Sequence, residues 1–224
     1  MVVIPYQFKH KDELRKWLWK YLSDYHLTMV PRQCFARIPS FKATEVATRR
    51  LAGLDAWGAA DTVLISPDDV TYEARRKALK AGKRLIVPIP RTYTAHLLEG
   101  VAATDAQVAA MMKEISRFSR VIPLADIGRV GMSVVGALSV DRYGNWLGQG
   151  EVFGELNPAL TRSDGALAAD LRVALVDDMQ IFEDFGYLME PGDARIDLMV
   201  TKTKELEPIE REPVPAPYGT LRIL

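Results

Sequence analysis

Gly148, Gly150 and Gly154 follow an apolar run and a turn in the stretch Val134 to Glu155, VVGALSVDRYGNWLGQGEVFGE. Without a Cβ, glycine lets a chain bend tightly and bring its N–H groups close to a ligand, so a glycine loop after a strand is a natural phosphate cradle. The same spacing also suits a ligand-free hairpin. Lys11 and Arg15 lie four apart in a predicted helix over Lys11 to Leu22, one turn from each other on one face. An anion between them would relieve their repulsion; a solvated basic face with Lys16 and Lys20 is the alternative. Asp68 follows an apolar strand, Asp61 to Ser66, and strand ends are where open α/β sheets place ligands. It also stands where an Asp would cap the next helix. Further carboxylates, Glu151, Glu155, Asp177, Asp178, Asp193 and Asp197, fall near ends of predicted strands. Magnesium takes oxygen ligands and is usually shared with phosphate. A glycine loop, a basic pair and clustered carboxylates together suit magnesium–nucleotide chemistry.

Other chemistries are poorly served. His10, His26 and His96 have no metal-ligand spacing. There is no G-x-S-x-G elbow and no G-x-x-x-x-G-K-[ST] loop. The lone Cys34 excludes a disulfide framework and a cysteine-rich metal site, and points to a reducing, cytoplasmic setting. Formal net charge is zero, which argues against a broad nucleic-acid surface. Arg75, Arg76, Lys77, Lys80, Lys83 and Arg84 form a local basic run, read either as an RNA patch or as a solvated helix face. The first residues carry no secretory pattern, and no stretch reaches transmembrane length, so no membrane partner is expected.

The elements that must position these residues alternate. Helices are expected over Lys11 to Leu22, Ala43 to Leu54, Thr71 to Ala81 (with Arg75, Arg76 and Lys77 exposed) and Asp105 to Phe118. Strands are expected over Asp61 to Ser66, Arg84 to Ile89, Arg120 to Ala125, Val134 to Val140, Leu171 to Asp177 and Arg195 to Thr201. Pro158 to Asp170 reads as partly helical, and Glu190 to Ala194 as a turn. At 224 residues, 48% of them apolar, the chain suffices for one continuous core. The expected fold is α/β, a three-layer sandwich around a mostly parallel central sheet. One domain is expected over 1–205, followed by a Pro-rich tail, 206–224, weakly ordered or draped on the surface.

The chain resembles the 5-formyltetrahydrofolate cyclo-ligase family, also called methenyltetrahydrofolate synthetase, from about Lys11 to Thr203. Lys11-Asp12-Glu13-Leu14-Arg15 is similar to its N-terminal basic helix. Arg37-Ile38-Pro39-Ser40-Phe41, Ser66-Pro67-Asp68, Gly82-Lys83 and Pro88-Ile89-Pro90-Arg91 resemble the branch of methenyltetrahydrofolate synthetase domain-containing proteins. Trp146 to Glu155 is similar to the glycine loop of that branch. Val176-Asp177-Asp178-Met179-Gln180 and Asp193-Ala194-Arg195-Ile196-Asp197 resemble its V-H-D-x-Q and H-D-x-x-V-D motifs.

The resemblance implies a fold of the ribose-5-phosphate isomerase and CoA-transferase group. The implied activity is cyclisation of 5-formyltetrahydrofolate to 5,10-methenyltetrahydrofolate with ATP and Mg²⁺. Lys11 and Arg15 would hold ATP phosphates. The loop Leu147, Gly148, Gln149, Gly150, Glu151, Val152 and Phe153 would wrap the triphosphate. Glu155 and Asp193 would hold the metal. Asp68 matches a substrate-contacting Glu, so Arg15, Asp68 and Gln149 form the expected catalytic set. The partner would be a folate-type small molecule, and the protein a monomer or homodimer. The chain departs from the family at Trp146 (for Arg), Gln149 (for a basic residue), Val152 (for Gly), Phe153-Gly154 (for Tyr-Tyr), Glu155 (for Asp) and Asp177 (for His). Val152 and Trp146 motivate a second reading, a non-catalytic nucleotide- or folate-binding regulatory protein.

Overall fold

The structure is a computed structural model, and it describes residues 8–29, 34–90, 92–149, 169–191, 193 and 195–210. Helices α1 (Lys11–Asp24), α2 (Thr44–Ala52), α3 (Asp55–Ala59), α4 (Tyr72–Lys80) and α5 (Ala106–Ala109) are joined by eleven strands. The strands are β1 (Thr62–Ile65), β2 (Arg84–Pro88), β3 (Thr94–Leu98), β4 (Arg120–Pro123), β5 (Val130–Gly136), β6 (Ser139–Asp141), β7 (Trp146–Leu147), β8 (Ala169–Leu175), β9 (Ile181–Phe182), β10 (Leu198–Val200) and β11 (Glu205–Leu206).

Among the described residues, eight strands form the main sheet in the order β11-β10-β8-β5-β1-β2-β3-β4, and β7-β6-β9 form a smaller one. The centre, β10-β8-β5-β1-β2, is parallel throughout; antiparallel pairs occur only at the two margins. Side chains alternate across the parallel centre. Val63, Ile65, Leu85, Val87, Met132, Val134, Val173 and Leu175 join a core with the apolar faces of all five helices. Leu64, Ile86, Val135, Ala174 and Met199 face the other way, onto Val140, Trp146 and Ile181 of the smaller sheet. Burial on both faces is why these strands read as unbroken apolar runs. Among the described residues the second layer over the sheet is therefore a small sheet, not helices.

Several boundaries differ from the sequence reading, each for a local reason. The run Val134 to Val140 is two strands, because the carbonyls of Ala137 and Leu138 accept from Gln180 Nε2 (2.7 and 3.2 Å) as the chain crosses between sheets. The helix expected over Asp105 to Phe118 is a single short helix, α5, and a 3₁₀ turn at Ile115–Arg117. Arg75 Nε donates to the Ala110 carbonyl at 3.0 Å, and the Glu114 N–H turns to Met111 instead. Strand β3 was not anticipated; it lies antiparallel between β2 and β4. The start of the tail is ordered: β11 pairs with β10, and the Ile209 N–H reaches the Arg142 carbonyl. Residues 211–224 and most of the expected Pro158–Asp170 segment lie outside the described residues.

Candidate functional site

The parallel strands end on one rim, and the candidate residues gather there. After β1, the chain turns through Ser66, Pro67 and Asp68 into a 3₁₀ turn at Asp69–Thr71 and then α4. Asp68 stands at the N-cap position, but its side chain makes no cap hydrogen bond. Its Oδ2 instead accepts from Ser66 Oγ at 2.6 Å. The Gly136 N–H, at the end of β5, donates to the same Ser66 hydroxyl at 3.3 Å. Burial pushes the Asp68 carboxyl up; the Ser66 hydroxyl and then Arg75 pull it back down, and neighbouring Asp69 opposes them. Gly136 leaves no room for a side chain: a Cβ there would stand 2.5 Å from Val70 and 2.7 Å from Ile38 of the R-I-P segment. So the Ile38 segment, the β5 end and Asp68 form one tight corner.

Trp146 links this corner to the glycine loop. Its indole N–H donates to the Gly136 carbonyl at 3.0 Å, and its ring lies where a Cβ on Gly148 would fall, 2.8 Å from Cζ2. The glycine at 148 is thus required by the indole itself. Leu147 is a buried strand residue in register with Ser139, and its carbonyl accepts from the Leu138 N–H. Gln149 is half-buried at the end of this segment. Gly150, Glu151, Val152, Phe153 and Glu155 lie outside the described residues.

Helix α1 supplies the cations. Arg15 is only 4% exposed; its Nε donates to the Gly148 carbonyl at 3.0 Å and its Nη1 reaches Asp12 at 2.5 Å. Lys11 Nζ lies 2.9 and 2.7 Å from the two carboxylate oxygens of Asp193, with side chains 10% and 7% exposed. Glu190, 3.6 Å from the same ammonium, is largely in solvent. Asp193 also accepts from the Glu190 N–H, closing the E-P-G-D turn. The repulsion expected between Lys11 and Arg15 is therefore met by carboxylates and a carbonyl. Three more of the flagged carboxylates lie among the described residues, each with protein partners. Asp177 caps a 3₁₀ turn in a capping box with Gln180 and pairs with Lys202 at 2.8 Å. Asp178 accepts from Thr201 and Thr203, and Asp197 binds Arg172 in a fork.

Among the described residues no group of three or more His, Cys, Asp or Glu could hold a metal ion. Asp193, one of the two expected metal ligands, has both carboxylate oxygens turned toward the Lys11 ammonium.

A family model for the 5-formyltetrahydrofolate cyclo-ligase family matches residues 7–202. The chain belongs to that family. Among its relatives are methenyltetrahydrofolate synthase domain-containing proteins. The Bos taurus and Homo sapiens proteins are both 28% identical across 92% of this chain, and the Mus musculus protein 29% across 87%. The chain spans just over half the length of these relatives (56%, 55% and 54%). The solved 5,10-methenyltetrahydrofolate synthetase of Aquifex aeolicus shares the fold, with a TM-score of 0.55 and 18% identity over 92% of this chain and 99% of that one.

For three residues of this rim, the part played by the side chain was not read from the sequence, although Asp141 to Gly144 reads as a turn. Arg75, expected on the surface, is 1% exposed and bonds the Ser66 and Asp68 carbonyls. Asp141, fully buried, accepts from the Tyr143, Asn145 and Phe185 N–H groups and from the Asn145 amide, fixing the turn that starts the glycine stretch. Trp146 is core, not loop. The D-x-x-G-N spacing from Asp141 to Asn145 was a legible signal for the second; nothing local marked Arg75. Within the basic run, Arg75 is inside, Arg76 holds Glu73, Arg84 holds Glu99, and Lys83 donates to the Ala60 carbonyl. No helix among the described residues is long and apolar enough to cross a membrane.

Proposed function

We propose that this chain catalyses the ATP- and Mg²⁺-dependent cyclisation of 5-formyltetrahydrofolate, or a related formylated pterin, to the 5,10-methenyl form. The observation that carries the reading is the meeting of Lys11, Arg15, Gly148 and Asp193, residues up to 182 positions apart, on the rim that also holds Asp68. When bound, ATP supplies the phosphoryl group that makes the formyl oxygen a leaving group, and Mg²⁺ neutralises phosphate charge. Lys11 offers a point charge and Arg15 a planar fork to phosphate oxygens. Gln149 adds neutral amide donors where relatives of the family carry a cation. Asp193 would hold the metal once its oxygens exchange the Lys11 ammonium for it, with Glu155 as its partner by sequence. Asp68, an acceptor at the end of β1, holds the formylated ring system so that its free amine lies against the formyl carbon. The substrate is a folate-type small molecule, and the protein acts as a cytoplasmic monomer or homodimer.

Purified protein with 5-formyltetrahydrofolate, ATP and Mg²⁺ is expected to develop methenyl absorbance, and to lose that signal when either ATP or Mg²⁺ is withheld. Folded protein that gives no turnover across pH and temperature sinks the proposal. The second reading, a non-catalytic binder, is favoured by the mutual pairing of Lys11 with Asp193 and by the indole packed under Gly148. A thermal shift with nucleotide or folate but no turnover would select it, since ligand binding to the folded state alone raises stability.

A further inference from the structure

Arg75 is a charged side chain with 1% exposure, in a fold where long cations are almost never fully buried unless paired. Among the described residues its hydrogen-bond partners are carbonyls and a hydroxyl, not a carboxylate. Nη1 donates to the carbonyls of Ser66 (2.6 Å) and Asp68 (2.9 Å) and to Thr71 Oγ1 (2.9 Å); Nε donates to the Ala110 carbonyl (3.0 Å). Three of these four acceptors belong to the single turn that carries Asp68. Thr71 Oγ1 doubles the clamp, lying 2.7 Å from the Ser66 carbonyl and 2.9 Å from that of Asp68. The Ser66 hydroxyl, on the same turn, ends on the Asp68 carboxylate. A buried cation held this way is a poor source of stability, because desolvating the guanidinium offsets most of what its bonds return. It is a good source of geometry, since a rigid planar guanidinium gathers three acceptors of one turn at Nη1 while Nε anchors it to Ala110.

The geometry points to Arg75 as the residue that positions Asp68 for the substrate, a role that rests on the cyclo-ligase reading above. Arg75 acts through the turn and touches no reacting atom. The groups facing the Asp68 carboxyl are the Ser66 hydroxyl and the Arg75 charge from α4, Asp69 on its own turn, and the Gly136 backbone N–H from β5; Ile38 and Val70 close the corner with apolar atoms. Arg75 is itself lowered by burial to about 10, so it stays protonated at neutral pH.

The test uses the full chain labelled with ¹³C at aspartate carboxyls, the Asp68 signal being assigned by its loss in Asp68→Asn. In Arg75→Gln the Asp68 carboxyl is expected to titrate at higher pH than in the parent, and in Arg75→Lys close to it. In turnover assays, Arg75→Gln is expected to raise KM for 5-formyltetrahydrofolate about tenfold or more while KM for ATP stays within about twofold, with Arg75→Lys recovering part of the loss. A folded Arg75→Gln protein whose Asp68 titration is unmoved, or whose two KM values rise together, overturns the assignment. Should Arg75→Gln not fold, Arg75→Lys decides: it retains the charge but not the fork, and an unchanged folate KM overturns the assignment. Absence of turnover in the parent would defeat the cyclo-ligase reading alone, because the carboxyl titration still reports whether Arg75 governs Asp68.

Discussion

The Asp68 corner and the Lys11–Asp193 corner occupy one rim but are built in opposite ways. The first is assembled within ten residues: Ser66, Asp68, Thr71 and Arg75 bond one another across a single strand–turn–helix unit, with Gly136 as the main outside contributor. The second joins residues 182 and 133 positions apart, Lys11 to Asp193 and Arg15 to Gly148. In the first, donors converge on backbone carbonyls and leave one carboxylate presented. In the second, cation and anion satisfy each other, and a ligand must exchange partners with both. A corner made from local backbone is preorganised; one made from distant opposite charges is adaptable. The division suits a reaction that must hold a rigid ring system at one end and a flexible triphosphate at the other.

The largest expected effects separate the two corners by substrate. Asp68→Asn is expected to lower kcat/KM for the formylated substrate by about a hundredfold or more, the scale on which a positioned polar group acts in catalysis, with KM for ATP little changed. Arg15→Gln is expected to do the reverse: a similar loss read mainly in KM for ATP, with folate binding preserved in a thermal-shift titration. If both variants weaken both substrates alike, the corners are one coupled unit and the division above is wrong.

A smaller effect probes Trp146, which ties the corners together. A methyl group at Gly148 meets the indole, and one at Gly136 meets Val70 and Ile38. Gly148→Ala and Gly136→Ala are each expected to cost about 1–3 kcal/mol, the usual price of overpacking a filled core. Replacing Trp146 by Leu should relieve the first clash but not the second, giving a coupling energy of ~1–3 kcal/mol between 146 and 148 in denaturant unfolding, larger than that between 146 and 136, which share a hydrogen bond but no clash. A cycle in which Gly148→Ala is equally costly in both backgrounds would mean that something other than the indole excludes the side chain.

How legible each corner was follows from the same contrast. The β1 strand, the Asp68 turn and α4 could be read from periodicity and position because their determinants are neighbours in sequence. Even there Arg75 was misread: three consecutive basic residues look solvated, yet the first of them turns inward onto the Ser66 and Asp68 carbonyls, Thr71 Oγ1 and, from a separate segment, the carbonyl of Ala110. The bond to Ala110 also shortened the predicted helix after Asp105, so one unseen long-range contact bears on both local errors. The Lys11–Asp193 corner was legible only in parts: helical spacing paired Lys11 with Arg15 and strand ends flagged Asp193, but no pattern links Lys11 to Asp193, and their separate roles toward ATP and metal came from the resemblance to a family. The parallel centre of the sheet was legible because strands buried on both faces must be continuously apolar. The antiparallel β3, with His96 half-buried beside Ser119, carries no such run.

The smallest effect expected is one of pH, and it opposes activity to stability at a single residue. Burial raises the Asp68 carboxyl above its ordinary value near ~3.9. The native state therefore binds that proton more tightly than the unfolded chain does, and ΔG of unfolding falls as pH rises between the unfolded and native values. Above that window the ionised carboxylate is a net cost; below it the cost is gone. Asp68→Asn should accordingly raise Tm at pH values above that window, with the gain shrinking as the buffer is acidified through it. Activity should run the other way: the acid limb of kcat/KM in the parent should lie above the ordinary carboxylate range, because the ionised form is the acceptor that orients the substrate. A corner selected for a buried carboxylate at the expense of stability is what a working site predicts. An Asp68→Asn protein that is less stable than the parent above that window would instead make Asp68 a structural member of its turn, and would return the assignment of the substrate end to the residues around Gly136 and Ile38.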